Sequence, residues 1–255
     1  MTRYISILCL IMSFHLAASD IKIAAGNFAP YFRADTQVHK QGLYEILITS
    51  ALSKLLLNPK YINVSNEAIK RYYQKNRVDL AINWTGDFSG EGYVSAHRLF
   101  FYNRAILRRL SEWQDAQHIL ALEGARIASF SGASLNFGTD YNTLINNEKT
   151  RYFESGDQYA INKMLLANKV DILIADWLKF YRFAKPMGLV EEFMALDLLH
   201  NEGSKIIFKD KKLRDDFDKV VEQMHASGEL QQLTQAWLAK NNLPMVSHHF
   251  LAKKS

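Results

Sequence analysis

Cysteine is almost missing from this chain. The single one, Cys9, lies in an apolar N-terminal stretch. If that stretch is removed, the remainder has no disulfide and no thiolate chemistry, and it must rest on its core. Long apolar runs are missing too. No stretch reaches the ~20 residues that a membrane-spanning helix needs. Charge of one sign is scarce: the formal net charge is +5, but the basic and acidic residues are interleaved. Arg104, Arg108 and Arg109 form the only dense basic cluster, and Lys209, Lys211, Lys212 and Arg214 alternate with Asp210, Asp215 and Asp216. A nucleic-acid binder would more often carry a one-signed stripe with interleaved aromatics, so these charges read as solvated faces. Metal-ligand spacing is also missing. The eight histidines are scattered, and the pair His248-His249 stands near the end. Gly132-Ala133-Ser134-Leu135-Asn136 lacks the last glycine of a nucleophile elbow. No cofactor and no metal are expected.

What is present is ordinary globular composition, 48% hydrophobic and 22% charged over 255 residues. That is room for two lobes of about 100 residues each. Met1–Ser19 reads as a secretory signal: Arg3 gives the positive start, Ile5–Leu16 the apolar core, and Ala17-Ala18-Ser19 the small residues before a cut at Asp20. Ile7 and Leu8 precede Cys9, which does not fit the small residues of a lipoprotein signal.

One stretch occurs twice, as Asn76–Trp84 (Asn-Arg-Val-Asp-Leu-Ala-Ile-Asn-Trp) and as Asn168–Trp177 (Asn-Lys-Val-Asp-Ile-Leu-Ile-Ala-Asp-Trp). Each copy follows an amphipathic segment. Each reads as a helix that stops at Asn, a tight turn, and a buried strand with polar groups at its far end. In open α/β sheets, ligands sit beyond the carboxyl ends of the strands. Two such units predict two similar lobes facing a shared cleft; two unrelated units fit the spacing equally well. Ile21–Ala25 reads as the opening strand, and Phe28-Ala29-Pro30-Tyr31-Phe32 as the loop leaving it, because Pro30 keeps Ala29 extended. Three aromatics there fit a stacking platform or a lid packed on the core. Gly42 precedes a helix with Leu43, Ile46, Leu47, Ala51 and Leu55 on one face, ended by Asn58-Pro59. Tyr61–Val64 reads as a strand, and Ser65 caps the helix that leads into the first copy. Strands alternating with helices predict a parallel sheet.

Further on, Gly86–Gly92 is a loop. Leu99–Tyr102 and Ala105–Leu107 read as strand, Trp113–Leu122 as helix, and Arg126–Phe130 as strand. Ser131-Gly132-Ala133-Ser134 opens the next helix, where free N–H groups suit an anion such as a carboxylate; a plain helix cap fits as well. Ser155-Gly156-Asp157-Gln158 fits a capping box for the helix entering the second copy. Asp176 ends an apolar run and needs a partner there, because isolated buried charge is costly. The partner could be an ammonium group on a ligand or a neighbouring Lys or Arg. Ile206–Phe208 reads as strand. Asp210 caps a helix through Leu213, Phe217, Val220, Val221 and Met224, and Gly228 ends it. A last amphipathic helix carries Leu230, Leu233, Trp237 and Leu238, and the tail after Pro244 is expected to be loose.

In this order, from the opening strand with Phe28-Ala29-Pro30-Tyr31 through Gly132-Ala133-Ser134 to Gly228…Trp237, the chain resembles the family 3 bacterial extracellular solute-binding proteins over roughly Asp20 to Lys240. The resemblance implies a two-lobed periplasmic-binding-protein fold of type II. Each lobe is then a mostly parallel sheet flanked by helices, and two crossover strands form a hinge that closes over a solute. The implied division is a signal over 1–19, lobe 1 over 20–104 plus 203–243, lobe 2 over 105–202, and a tail over 244–255. The implied solute contacts are Phe28 and Tyr31 in the first loop, Asn83, Trp84 and Thr85 after the first repeat strand, Gly132, Ala133 and Ser134 as anion donors, and Asp176 for an amino group. One departure stands out: members binding α-amino acids usually carry an Arg a few residues after the first site strand, whereas Thr85–Ala96 holds no Arg or Lys and Arg98 comes late.

The implied function is capture of a small polar solute, an amino acid or related compound, by a monomeric periplasmic protein that serves an ABC transporter and has no catalytic role. A sensor or partner protein on the same fold is the alternative. A cofactor-free dehydratase using Asp176 with Glu91 or His97 is a more remote one.

Overall fold

The structure, a computed structural model, describes residues 19–26, 28–32, 41–84 and 86–253. The expected signal segment, Ser19 apart, and Thr85 lie outside the described residues. In chain order the elements are β1 (Ser19–Gly26), α1 (Leu43–Ser53), β2 (Leu57–Val64), α2 (Asn66–Gln74), β3 (Leu80–Trp84), β4 (Tyr93–Leu99), β5 (Asn103–Arg108), β6 (Arg126–Phe130), α3 (Gly138–Ile145), β7 (Arg151–Ser155), α4 (Gln158–Leu166), β8 (Ile172–Asp176), α5 (Trp177–Ala184), β9 (Phe193–Leu196), β10 (Ser204–Phe208), α6 (Lys211–Ala226), α7 (Glu229–Lys240) and β11 (Leu251–Lys253).

These strands form two sheets, ordered β11-β4-β10-β3-β1-β2 and β7-β6-β8-β5-β9. Each sheet contains a parallel triplet, β2-β1-β3 in one and β7-β6-β8 in the other. The remaining pairings are antiparallel, so the sheets are mixed where a mostly parallel arrangement was expected. The reason is the route of the chain. β4 runs alongside β3 in direction, crosses through residues 100–102, and enters the second sheet as β5, opposed to β8. The return through residues 197–203 delivers β10 opposed to β3. A strand arriving from the other sheet enters at the carboxyl ends of the triplet and must run against it. The carboxyl ends of β1, β3, β6 and β8 therefore face one junction, crossed twice by the chain.

Both faces of each sheet are covered. Ile23, Leu80, Ile82 and Phe208 pack in one core of the first sheet, and Ala24, Ala81, Trp84 and Ile207 in the other. The second sheet divides in the same way between Ile172 with Ile174 and Leu173 with Ala175. Leu178 of α5 is buried in the first sheet's core, so the two lobes share apolar contact beside the junction.

The repeated stretch is a structural repeat. Asn76 and Asn168 both take left-handed backbone, with φ 53° and 54°. Asn tolerates this conformation where a helix must stop. The next residue in each copy returns an N–H to the helix, Arg77 to the Tyr72 carbonyl and Lys169 to that of Met164. The Asp of each Val-Asp pair accepts a backbone N–H from the neighbouring parallel strand: Asp79 from Lys22 and Asp171 from Arg126, both at 2.8 Å.

Three elements differ from expectation. Pro59, expected to end a helix, lies within β2, an edge strand, where a missing N–H costs no ladder bond. Trp113–Leu122 is turn followed by one short 3₁₀ segment, Ile119–Leu122, capped by His118. The tail after Pro244, expected to be loose, is packed. Phe250 and Leu251 are buried, and β11 covers the outer edge of β4. Among the described residues no helix is long and apolar enough to cross a membrane.

Candidate functional site

The first loop closes on itself as a tight turn: Phe28 and Phe32 form a bridge, and Tyr31 and Phe32 both donate their N–H to the Phe28 carbonyl. Gly42 makes this possible. A side chain there would meet the Tyr31 backbone, with the Phe32 nitrogen at 2.8 Å. With only hydrogen at that place, Tyr44 N–H reaches the Tyr31 carbonyl at 3.1 Å, and the Glu45 carboxylate caps Gly42 N–H at 2.6 Å. The outcome is that Tyr31 and Phe32 are fully buried, as the lid reading expected, while Phe28 stays half-buried at the junction.

Tyr31 reaches across to the second lobe. Its hydroxyl donates to Asp176 Oδ2 at 2.5 Å. The same oxygen accepts Tyr102 N–H from the first crossing at 2.9 Å, and Oδ1 accepts Lys179 N–H at 2.9 Å, which caps α5. Asp176 is 3% exposed, and burial pushes its carboxyl pKa up against the opposing pull of Lys179 and these donors. Burial, then the Asp176 charge, raises the Tyr31 hydroxyl well above its ordinary value. The partner that a buried acid requires is thus supplied from within the chain.

Lys179 stands one turn further along α5. Its Nζ lies 2.9 Å from the centre of the Phe28 ring, a cation–π contact. Burial lowers its pKa to about 8, with Asp176 pulling the other way. Tyr44 stacks on Tyr31, and its buried hydroxyl has no partner among the described residues. The loop aromatics, Phe101 and Phe250 complete an apolar surround.

The other predicted positions go elsewhere. Asn83 has φ 64° and sits where β3 gains a residue against β10. Such a bulge turns the following side chain to the opposite face. Trp84 is therefore 4% exposed in the outer core against Tyr73 and Phe88, not in the junction. Gly132, Ala133 and Ser134 form a turn with Gly132 left-handed, continued by a single 3₁₀ turn; the α-helix expected to open there begins only at Gly138. This turn does hold an anion, but a resident one. Gly132 N–H donates to Glu154 Oε2 at 2.7 Å, Ser134 N–H to Oε1 at 2.9 Å, and the Tyr152 hydroxyl to Oε1 at 2.6 Å. Burial pushes the Glu154 pKa up, and these donors outweigh it and hold the carboxyl below its ordinary value.

Arg98 is committed to the second crossing, with Nη1 on the Glu202 carbonyl at 3.0 Å. Asp87 and Glu91 are exposed. His97 is buried against Asp218 at 3.4 Å, so the Glu91 and His97 of the dehydratase reading each have another setting. Among the described residues no group of three or more His, Cys, Asp or Glu could hold a metal ion. Sequence reasoning missed Glu154 and Lys179. Tyr152 and Glu154 alternate onto one face of a short strand, and Lys179 follows Asp176 by one helical turn; these are the local signals each carries, and neither names a partner.

Comparison with known proteins gives fold alone. No family model and no curated protein matches the chain. Among solved structures it is similar to an arginine periplasmic binding protein from Legionella pneumophila, at 16% identity and TM-score 0.62 over 86% of this chain and 99% of that one. A Streptococcus pneumoniae ABC uptake substrate-binding protein with bound histidine gives 15% and 0.60 over 86% and 92%. An amino-acid ABC transporter substrate-binding protein from the same species, bound to L-arginine, gives 18% and 0.61 over 89% and 97%. The two-lobed α/β fold of periplasmic binding proteins is the fold of this chain.

Proposed function

We propose, taking that fold as premise, that the chain is a periplasmic solute-binding protein. It captures a small polar solute between its lobes and hands it to an ABC transporter, as a monomer without catalytic activity. One observation carries the reading: the carboxyl ends of both parallel triplets meet at a junction that the chain crosses twice. Ligands of open α/β sheets lie beyond such ends, and a pair of crossings is the arrangement that domain closure needs. The named binding functions of the structural neighbours agree with it, as does the signal-like start of the sequence.

In this reading Phe28, Tyr31 and Asp176 mark the meeting point of the lobes, and the Tyr31–Asp176 bond is a contact of the closed form. Opening breaks only the Tyr31 bond, and Asp176 keeps the Tyr102 and Lys179 N–H donors; closure around a solute excludes water and strengthens polar contacts. A thermal-shift screen of amino acids, polyamines, small sugars and organic acids tests it. A captured solute stabilises the fold by about 2.7 kcal/mol at one hundred times its dissociation constant. If no compound in the four classes moves the melting temperature, solute capture is wrong, and the self-closed junction instead favours a partner or sensor protein.

A further inference from the structure

We infer that the solute class of this junction is an organic anion that lacks an ammonium group, seated on Lys179. The inference rests on the junction being a solute site and names what that site takes. An α-amino acid would bring one ammonium and one carboxylate, and the chain supplies both already. Asp176, the acid that an amine would use, accepts three donors of its own, from Tyr31, Tyr102 and Lys179. The face of Phe28, where a cation would stack, carries the Lys179 ammonium. The turn at Gly132 and Ser134, which would hold a carboxylate, holds Glu154.

What stays unspent is Lys179. An ammonium has three donors and no acceptor. Among the described residues none of the three meets a hydrogen-bond acceptor, and the ammonium has only the Phe28 ring and the more distant Asp176 charge. The Lys179 side chain is half-buried at the meeting of the lobes. Arg98 and Arg104, beside the first crossing in sequence, are committed: Arg98 to Glu202, and Arg104 to the Asn103 carbonyl and Asp197. An anionic oxygen on Lys179 would form charge-assisted bonds, the strong kind. Phe28 and Phe101, with ring centres 4.8 Å apart, offer apolar contact to the rest of the molecule. A second ammonium there would face Lys179 as a like charge.

The test uses the full chain, thermal shift and calorimetry. The probes are matched sets on one skeleton: 3-phenylpropionate, phenylalanine and phenethylamine; 4-methylpentanoate, leucine and isopentylamine; then succinate and inorganic phosphate. At least one acid is expected to raise Tm by roughly 5 °C at one hundred times its dissociation constant, with its amine silent and its amino acid at least about tenfold weaker. Lys179→Met, which removes an enclosed charge and so keeps the fold, should weaken that acid roughly tenfold to a hundredfold; Lys179→Arg should retain part of the response. An amine or amino acid that outbinds its matching acid overturns the anion class and leaves solute capture standing. An acid response unchanged in Lys179→Met removes Lys179 from the site and overturns the proposal. Silence of every acid overturns it too, and silence of the amino acids, amines and sugars as well removes solute capture along with it.

Discussion

The two copies of the repeated stretch are alike where they build the sheets and part where they reach the junction. Up to the Asp of each Val-Asp pair they do the same work: a left-handed Asn ends a helix, and a carboxylate ties the incoming strand to its parallel neighbour. By register, Leu80 lies opposite Ile23 as Ile172 lies opposite Ile127, so Trp84 and Asp176 are equivalent positions. In the first copy the bulge at Asn83 turns Trp84 into the outer core. In the second copy alternation continues unbroken, and Asp176 arrives at the junction, where it caps α5 and meets Tyr31. The shared part is scaffold, and the copies part at the last strand residue, which only the second copy brings to the junction. A repeat in sequence therefore located the junction of the two sheets without describing it.

Replacing each member of that equivalent pair separates the two roles. Trp84→Ala should cost the most, about 3–5 kcal/mol, as a large aromatic removed from a packed core. That loss should be nearly the same at pH 5 and pH 8 in urea melts, and any solute should bind the variant as before. Asp176→Ala should cost about 2–3 kcal/mol, because the Tyr31 hydroxyl and two N–H groups lose their acceptor in a buried place. It should also loosen the contact between the lobes, read as a larger radius of gyration in small-angle scattering. A Trp84→Ala variant that opens the lobes while Asp176→Ala does not would reverse the assignment of the two copies.

Much of this scaffold was legible. Asn before a cation and a Val-Asp pair encodes a helix stop and a strand staple through short-range geometry alone. Phe28, Tyr31 and Asp176 were legible as junction residues because each follows directly from a strand's carboxyl end. Trp84 was misread because a single left-handed residue reverses which face a strand offers, and Asn83 is the kind of residue that allows it. Glu154 was illegible as the occupant of the Gly132 turn because the two meet only through the pairing of β6 with β7. The packed tail was illegible for a similar reason: Phe250 and Leu251 gain their burial from a strand edge about 150 residues earlier in the chain.

Lys179 sharpens the comparison from the other side, because the first copy has no counterpart to its enclosed ammonium. Its pKa of about 8 lies below the ordinary 10.5, so the charged form is disfavoured in the folded chain. Below pH 8 both states hold the proton and the full cost is present. From pH 8 towards 10 the unfolded chain binds more protons, so this group makes stability rise with pH. Lys179→Met should therefore gain roughly 1–2 kcal/mol at pH 7, less than the shift alone implies because the cation–π contact to Phe28 is lost. The gain should shrink as pH approaches 10, as denaturant melts across that range would read.

The smallest effects test the part the copies share. Asn76→Ala and Asn168→Ala each place a β-carbon in left-handed backbone and should cost about 1 kcal/mol, while the glycine variants should be within about 0.5 kcal/mol of the parent. Neither pair should alter solute binding, because both turns lie at the amino ends of β3 and β8, away from the junction. Equal costs in the two lobes are the outcome required if the stretch is one structural unit used twice. A penalty at Asn168 several times that at Asn76 would mean that the second unit has taken on tension from the latch its own strand delivers. The repeat would then be a likeness of sequence that the two lobes exploit differently from the first turn onward.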